Sequence, residues 1–419
     1  MATVLIDLSP QSRPWLSGMG GVEHRFQIYK AILANGERLV LSLFSSQSGH
    51  SVRRSLHKVL YAIDGPAFDA SCHPQRPIMT DKLRLAILEL LEGRSLSVDL
   101  MHSAIGEIMD GRSTEVEIAS LLTALRCRGE SVNELVGAAQ AMRERATSIP
   151  CRTINLLDTC GTGGDSLHTF NISTGAALVA AAAGQPVAKH GNRSVSSSTG
   201  SADVLEALGV NLQLTPNHIA NCIDTVGIGF CFAPLLHGAM KYAAPVRKQL
   251  GIRTIFNLLG PLTNPAQASF QLVGASRVSS AELLAQALHK LGTQRALVVC
   301  GNDELDEVSL WGATTVFEVS CEGVQCQTWT ASELGLDPCR VEDLQVSNAA
   351  ESAAILRNVF AGAKGPTRDI LVANAAAALL AANRAESIRT AIPLAAAAID
   401  TGRAARLCEW LIKFTRETA

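Results

Sequence analysis

A chain of 419 residues with a formal net charge of −2 is long enough for two domains. Its balance of charge gives it no overall basic surface with which to hold nucleic acid or an acidic membrane. Apolar residues make up 47% and aromatic residues 4%, which allows a large core of closely packed, alanine-rich helices. The eleven cysteines are odd in number and never spaced Cys-x-x-Cys, so reduced cytosolic thiols are expected rather than a zinc site or a disulfide framework. Alanine-rich stretches at 176–183 and 373–382 stop short of the ~20 apolar residues of a membrane span. With no charged-then-apolar export signal at the start, a cytoplasmic protein is expected.

Residues 1–78 carry scattered Ser, Pro and Gly, a run Cys72-His73-Pro74-Gln75-Arg76-Pro77, and one expected helix over 22–33. They are expected to be an appended segment, or to lie upstream of a true start at Met79. From Met79 the texture turns helical. Leu83, Ile87, Leu90 and Leu91 recur at helical spacing, and Thr114 with Glu117 and Ser131 with Glu134 fit capping boxes. Gly93, Gly111 and Gly129 fall where helices would stop. Three or four helices over 79–148 are expected to form a helical domain with an interaction or dimerisation surface.

A strand-like run, Thr153-Ile154-Asn155-Leu156-Leu157-Asp158, opens a second domain over 151–419. After it come an expected helix at 173–183, a strand at 186–189 and a helix at 202–208 ended by Gly209. Strand-like runs recur at 270–273, 296–300 and 315–319, with helical stretches between. The expected fold class is α/β: a small helical domain plus a larger α/β domain with a mostly parallel central sheet and helices on its faces. Residues 216–250 read as helical and are expected to return to the first domain.

The chemistry concentrates in loops that follow strands. Asp158-Thr159-Cys160-Gly161-Thr162-Gly163-Gly164-Asp165 leads to Thr169-Phe170-Asn171-Ile172-Ser173-Thr174. Glycines there let the backbone approach a ligand, and the helix start adds free amides and a positive dipole end suited to phosphate. An ordinary strand-to-helix turn would look the same. The second loop, Lys189-His190-Gly191-Asn192-Arg193-Ser194-Val195-Ser196-Ser197-Ser198, adds two cations and many hydroxyls. Two such loops at successive strand ends outweigh that plainer reading, because strand C-termini are where such sheets place ligands. The acidic run Asp303-Glu304-Leu305-Asp306-Glu307 would by itself be a solvated loop. Beside a phosphate-rich ligand, Asp306 and Glu307 suit magnesium. Arg247, after His237 and Pro245, could clamp a carboxylate bidentately, or be a surface Arg in an ion pair.

Together these segments, with Gly200-Ser201-Ala202-Asp203, Phe256-Asn257-Leu258-Leu259-Gly260-Pro261-Leu262-Thr263-Asn264-Pro265, Val308-Ser309 and Asn374-Ala375-Ala376-Ala377, resemble the anthranilate phosphoribosyltransferases from Met79 onward. The resemblance implies a helical domain hinged to an α/β domain, a homodimer through the helical part, and transfer of a phosphoribosyl group to the amine of anthranilate in tryptophan biosynthesis. It implies that phosphoribosyl pyrophosphate sits on Gly161, Gly164, Asp165, Thr169, Asn171, Ile172, Ser173 and Thr174. The same ligand is implied on Lys189, His190, Gly191, Asn192, Arg193, Ser194, Val195, Ser196, Ser197 and Ser201. It implies magnesium on Ser173, Asp306 and Glu307, and anthranilate on Gly161, Asn192 and Arg247, with no residue demanded as a base. Neither nucleic acid nor membrane is an expected partner. Cys300, Glu304 and Gly238 depart from the family pattern of His, Gly and Pro, and Glu304 adds a negative charge beside the metal pair. A pyrimidine nucleoside phosphorylase would lack the Lys-His-Gly-Asn-Arg loop and the Asp-Glu pair, and a nucleic-acid-binding relative would be expected to be strongly basic.

Overall fold

The computed structural model describes residues 24–32, 38–46, 81–194 and 199–417. Chain contacts define one unit up to Arg76 and a second from Pro77. In the first, β1 (His24–Ile32) pairs antiparallel with β2 (Arg38–Ser46). A strand therefore replaces the helix expected over 22–33; positions 22, 23 and 33, like the Cys72–Pro77 run, lie outside the described residues. Phe26 and Ile28 alternate with Arg25 and Gln27, and Asn35-Gly36 stands between the two runs in the sequence. That is a hairpin signature with a period of two.

The second unit opens with α1 (Asp81–Leu91), α2 (Val98–Met109), α3 (Glu115–Arg128) and α4 (Val132–Glu144). Thr114 with Glu117 and Ser131 with Glu134 form complete capping boxes, satisfying amides that a helix start leaves free. Gly93, Gly111 and Gly129 take positive φ, between 71° and 89°, where the chain leaves a helix. Glu134 is fully buried, with its carboxylate accepting from the amides of Leu96 at 2.8 Å and Ser131 at 2.7 Å, and pairing with Arg128.

Seven strands follow: β3 (Leu157–Asp158), β4 (Val187–Gly191), β5 (Ile228–Phe232), β6 (Phe270–Gly274), β7 (Arg295–Gly301), β8 (Thr314–Ser320) and β9 (Gly323–Trp329). Their order is β5-β4-β3-β6-β7-β8-β9, parallel through β7 and antiparallel in the last two. From β3 the chain winds one way to β4 and β5, then resumes on the other side at β6. The gap between β3 and β6 is thus the switch point at which such a sheet opens a crevice beyond its C-terminal ends.

Residues 216–250 are not continuously helical. After α7 (Pro216–Val226; the intervening α5 is Ile172–Ala182 and α6 is Ser201–Leu208) comes the buried edge strand β5. Ala243 and Val246 join the apolar cluster of α1–α4, whereas Ile219, Cys222 and Ile223 pack with the sheet. The bundle's cluster also takes in Val273, Val298 and Phe317, so it is continuous with one face of the sheet. The other face carries α5 and the helix Pro366–Ala381, buried from Ile370 to its end. Among the described residues no helix is long and apolar enough to cross a membrane.

Candidate active site

Asp158 ends β3 fully buried. Its Oδ1 accepts from the His190 amide at 2.9 Å, tying β3 to β4, while Oδ2 has no hydrogen-bond partner among the described residues. Burial pushes this carboxyl up to about 6, with the Lys189 charge opposing. The glycine loop then turns through positive φ at Gly163 (64°), Gly164 (80°), Ser166 (62°) and His168 (58°). A Cβ on Gly161 would lie 3.1 Å from Asp306 Oδ2 and 3.3 Å from the Gly274 carbonyl. Thr162 N donates to that carbonyl at 2.9 Å and Gly163 N to Asp306 Oδ2 at 2.8 Å. Arg253 lies across Gly164 and donates to the Gly163 carbonyl at 3.2 Å.

Beyond the loop, Asn171 caps α5 by accepting from Thr174 N at 3.0 Å, and its side-chain amide donates to Thr199 O at 3.0 Å. Thr199 Oγ1 donates in turn to the carbonyl of Thr169 at 3.2 Å. Ile172 and Thr174 are buried in the first turn of α5, and Thr174 Oγ1 has no partner among the described residues. Lys189 is 2% exposed, yet a charged amine buried this deeply must be held by partners. Its Nζ donates to Thr159 O (3.0 Å), Thr159 Oγ1 (3.1 Å) and Ser173 Oγ (3.3 Å). Burial lowers its pKa, and Asp158, Glu307 and Asp306 oppose that.

Asp306 and Glu307 follow β7 through a loop in which Asn302 and Asp303 adopt left-handed conformations. Asn374 grips the next residue, accepting from Val308 N at 2.8 Å and donating to Val308 O at 3.1 Å. Burial first, then the adjacent Asp165 carboxylate, raises Asp306 to about 7. Glu307 is pushed well up by burial and by Asp306, with Lys189 and the Ser173 amide pulling the other way. The structure thus brings Ser173, Asp165, Asp306 and Glu307 together. Crowded hard oxygen donors with too little positive charge between them fit a magnesium ion carrying phosphate.

In the second loop, Gly191 closes β4, and Ser201 Oγ donates to Asn192 O at 3.3 Å. Asn192 is exposed, and Ser194 N donates to Asp203 Oδ2 at 3.0 Å. Arg193 turns to Asp203 (2.9 Å) and Glu206 (2.5 Å) on α6, so its charge is engaged there. Val195, Ser196 and Ser197 lie outside the described residues. His190 Nδ1 donates to Gly260 O at 3.1 Å, and its neutral ring presents Nε2 to Nε2–H of His237 at 3.2 Å. Burial holds His190 down at about 3 and His237 at about 4. Asp158, Cys160 and His190 have ligand atoms within 4.8 Å of one another. Both nitrogens of His190 are occupied and Lys189 stands beside the group, so it is better suited to be the loop's floor than a metal site.

Arg247 is half-buried on the short helix Ala244–Leu250. Its guanidinium lies over the Phe256 ring, 5.3 Å from the centroid, and forms no ion pair among the described residues. Burial lowers its pKa. The surface-arginine reading is therefore not what the structure shows. Sequence reasoning singled out neither Arg253, nor Gly274, nor the grip of Asn374. A glycine ending a strand beside a phosphate loop was the signal available for Gly274. A surface cleft of about 650 Å³ beside Trp311, Leu336 and Cys339 contains none of these residues.

Two family models match: the helical bundle domain of the glycosyl transferase family over residues 84–146, and its a/b domain over 153–405. The fold and the loops are those of a glycosyl transferase of this class. An anthranilate phosphoribosyltransferase from Geotalea uraniireducens is 47% identical over 349 residues, spanning 80% of this chain and all of the relative. One from Symbiobacterium thermophilum is 47% identical over 333 residues, covering 80% and 98%. The crystal structure of the Thermus thermophilus anthranilate phosphoribosyltransferase superposes with a TM-score of 0.76 at 41% identity, covering 80% of this chain and 100% of that one. The Saccharomyces cerevisiae enzyme in complex with PRPP and Mg gives 0.74 at 27% identity, covering 81% and 99%. The chain belongs to the anthranilate phosphoribosyltransferase family.

Proposed function

We propose that this protein transfers the phosphoribosyl group of phosphoribosyl pyrophosphate to the amine of anthranilate, releasing pyrophosphate, as a step of tryptophan biosynthesis. The observation that carries the reading is the meeting of Lys189, Ser173, Asp165, Asp306 and Glu307 beneath the glycine loop at the β3/β6 switch point. Ser173, Asp306 and Glu307 would hold magnesium, which when bound neutralises charge gathering on the departing pyrophosphate. The backbone of Gly161–Asp165 and the first turn of α5 bind phosphate oxygens, and Lys189 supplies a fixed positive charge that needs no reorganisation. Arg247 pairs with the carboxylate of anthranilate and so aims the amine at the ribose carbon. The amine already has its lone pair, so its attack needs no strong base.

Leu85, Leu88 and Leu91 form an exposed stripe on α1, at 42%, 49% and 65% accessibility, and Val116 of α3, the helix that packs against α1, is exposed as well. A second copy of the chain is the proposed cover. The cysteines of the described residues are all free, in keeping with a cytoplasmic location that cell fractionation tests. The purified protein is expected to consume phosphoribosyl pyrophosphate only with anthranilate and magnesium, at a light-scattering mass twice its 44.3 kDa. Absence of turnover sinks the activity, and a monomeric mass sinks the dimer.

A further inference from the structure

The turn Gly260–Leu262 offers three consecutive carbonyls, and each receives a side chain from a different part of the protein. His190 Nδ1 of the second loop donates to Gly260 O at 3.1 Å. Gln271 Nε2 of β6 donates to Pro261 O at 2.6 Å, and Arg143 Nε of α4 donates to Leu262 O at 2.6 Å. Just beyond, the Asn264 side-chain amide donates to Ala188 O of β4 at 2.8 Å. A turn that only reversed the chain could leave such carbonyls to backbone or water.

Arg143 is the most costly of these donors. It is half-buried near the end of α4, and it forms no ion pair among the described residues. Its side chain instead donates to a carbonyl 119 residues away. A guanidinium kept from water without a carboxylate is a poor choice for stability alone. The turn it grips continues directly from the helix Phe256–Leu259, whose first residue is the ring under Arg247. The same turn also fixes which nitrogen of His190 carries the proton.

We propose that Arg143 is a positioning residue for the transfer reaction, locking the turn that seats both His190 on the donor side and Phe256 beneath Arg247 on the acceptor side. The proposal rests on the function given above. It makes the helical bundle part of the machinery that aligns the two substrates. Loosening such a support leaves Arg247 less well ordered for the acceptor's carboxylate, so the loss falls on binding more than on rate.

The test compares full-length wild type, Arg143→Met and Arg143→Lys, with both substrates varied and with hydrogen exchange measured on the substrate-free proteins. Arg143→Met is expected to raise the KM for anthranilate on the order of tenfold, with a much smaller change in kcat measured well below the melting temperature. Faster exchange of the Asn257 and Thr263 amides, which bond within this segment, should accompany it. Arg143→Lys, which restores a charged donor, should recover most of both effects. Unchanged KM values in Arg143→Met, or a loss of stability that Arg143→Lys does not separate from the kinetics, overturns the proposal. If wild type itself fails to turn over, the proposed function has failed instead, and exchange at the turn still decides whether Arg143 holds it.

Discussion

The donor and acceptor sides of the site are built on opposite plans. On the donor side many polar groups already hold one another in place: Lys189 donates to Thr159 and Ser173, Asp306 accepts from Gly163, and Glu307 from Ser173. On the acceptor side Arg247 has an aromatic face beneath it and no carboxylate partner among the described residues. A preassembled donor side stabilises charge as it develops and so sets rate. An unpaired, half-buried arginine sets affinity for whatever carboxylate completes it.

Three experiments would break or sharpen this contrast. The largest effect is expected for Asp306→Asn, which keeps shape and removes charge: kcat should fall by about a hundredfold or more, as for removal of one electrostatic group. A fall of less than about threefold would mean that the donor side is scaffolding only. Next, Arg247→Ala should raise the KM for anthranilate by about ten- to a hundredfold, the equivalent of ~1.5–3 kcal/mol for a hydrogen bond to a charged group. The KM for phosphoribosyl pyrophosphate should barely move, and an equal rise in both would erase the division of labour.

The smallest effect is on stability. Asp306 keeps its proton to about pH 7 in the folded protein, against an ordinary value of 3.8. The folded state therefore binds the extra proton, and this contribution to stability is present at low pH and lost as pH rises from about 4 through 7. Magnesium needs the deprotonated carboxylates, so the rise in melting temperature it gives should be larger at pH 8 than at pH 5.5. A magnesium effect independent of pH, or one unchanged in Asp306→Asn, would place the cation elsewhere.

Much of this site was legible because its residues are adjacent in sequence to glycines that follow strands. Gly161–Asp165, Lys189 and Asp306-Glu307 all lie at or just beyond the C-terminal ends of β3, β4 and β7. What the sequence hid was of two kinds. Ile228-Gly229-Phe230-Cys231-Phe232 is buried throughout and has no alternation, so periodicity could not separate it from a helix. The strand β9 failed for the opposite reason, since Gln325 to Thr328 are exposed in a row at the sheet edge. The long-range supports, Arg253 on Gly163 and Arg143 on Leu262, join residues 90 and 119 positions apart and leave no local mark. Conversely, Arg193 looked like a phosphate ligand by its motif and is held by Asp203 and Glu206 here. The Glu304 departure touches the loop through its backbone, with Glu304 N donating to Gly301 O at 3.0 Å.

The helix Pro366–Ala381 has a consequence for how the protein can vary. Ala373, Ala375, Ala376, Ala377 and Ala378 show no exposure, and the helix lies against α5 with only methyl groups to spare. In the same run, Asn374 holds Val308 beside the acidic pair. Even one added methylene in such an interior displaces its neighbours. The mutational tolerance of this stretch is thus set from two directions at once, by volume and by the single amide that must keep its reach. Substitution is therefore largely closed along this helix, although the helix itself supplies no side chain to the proposed substrate site.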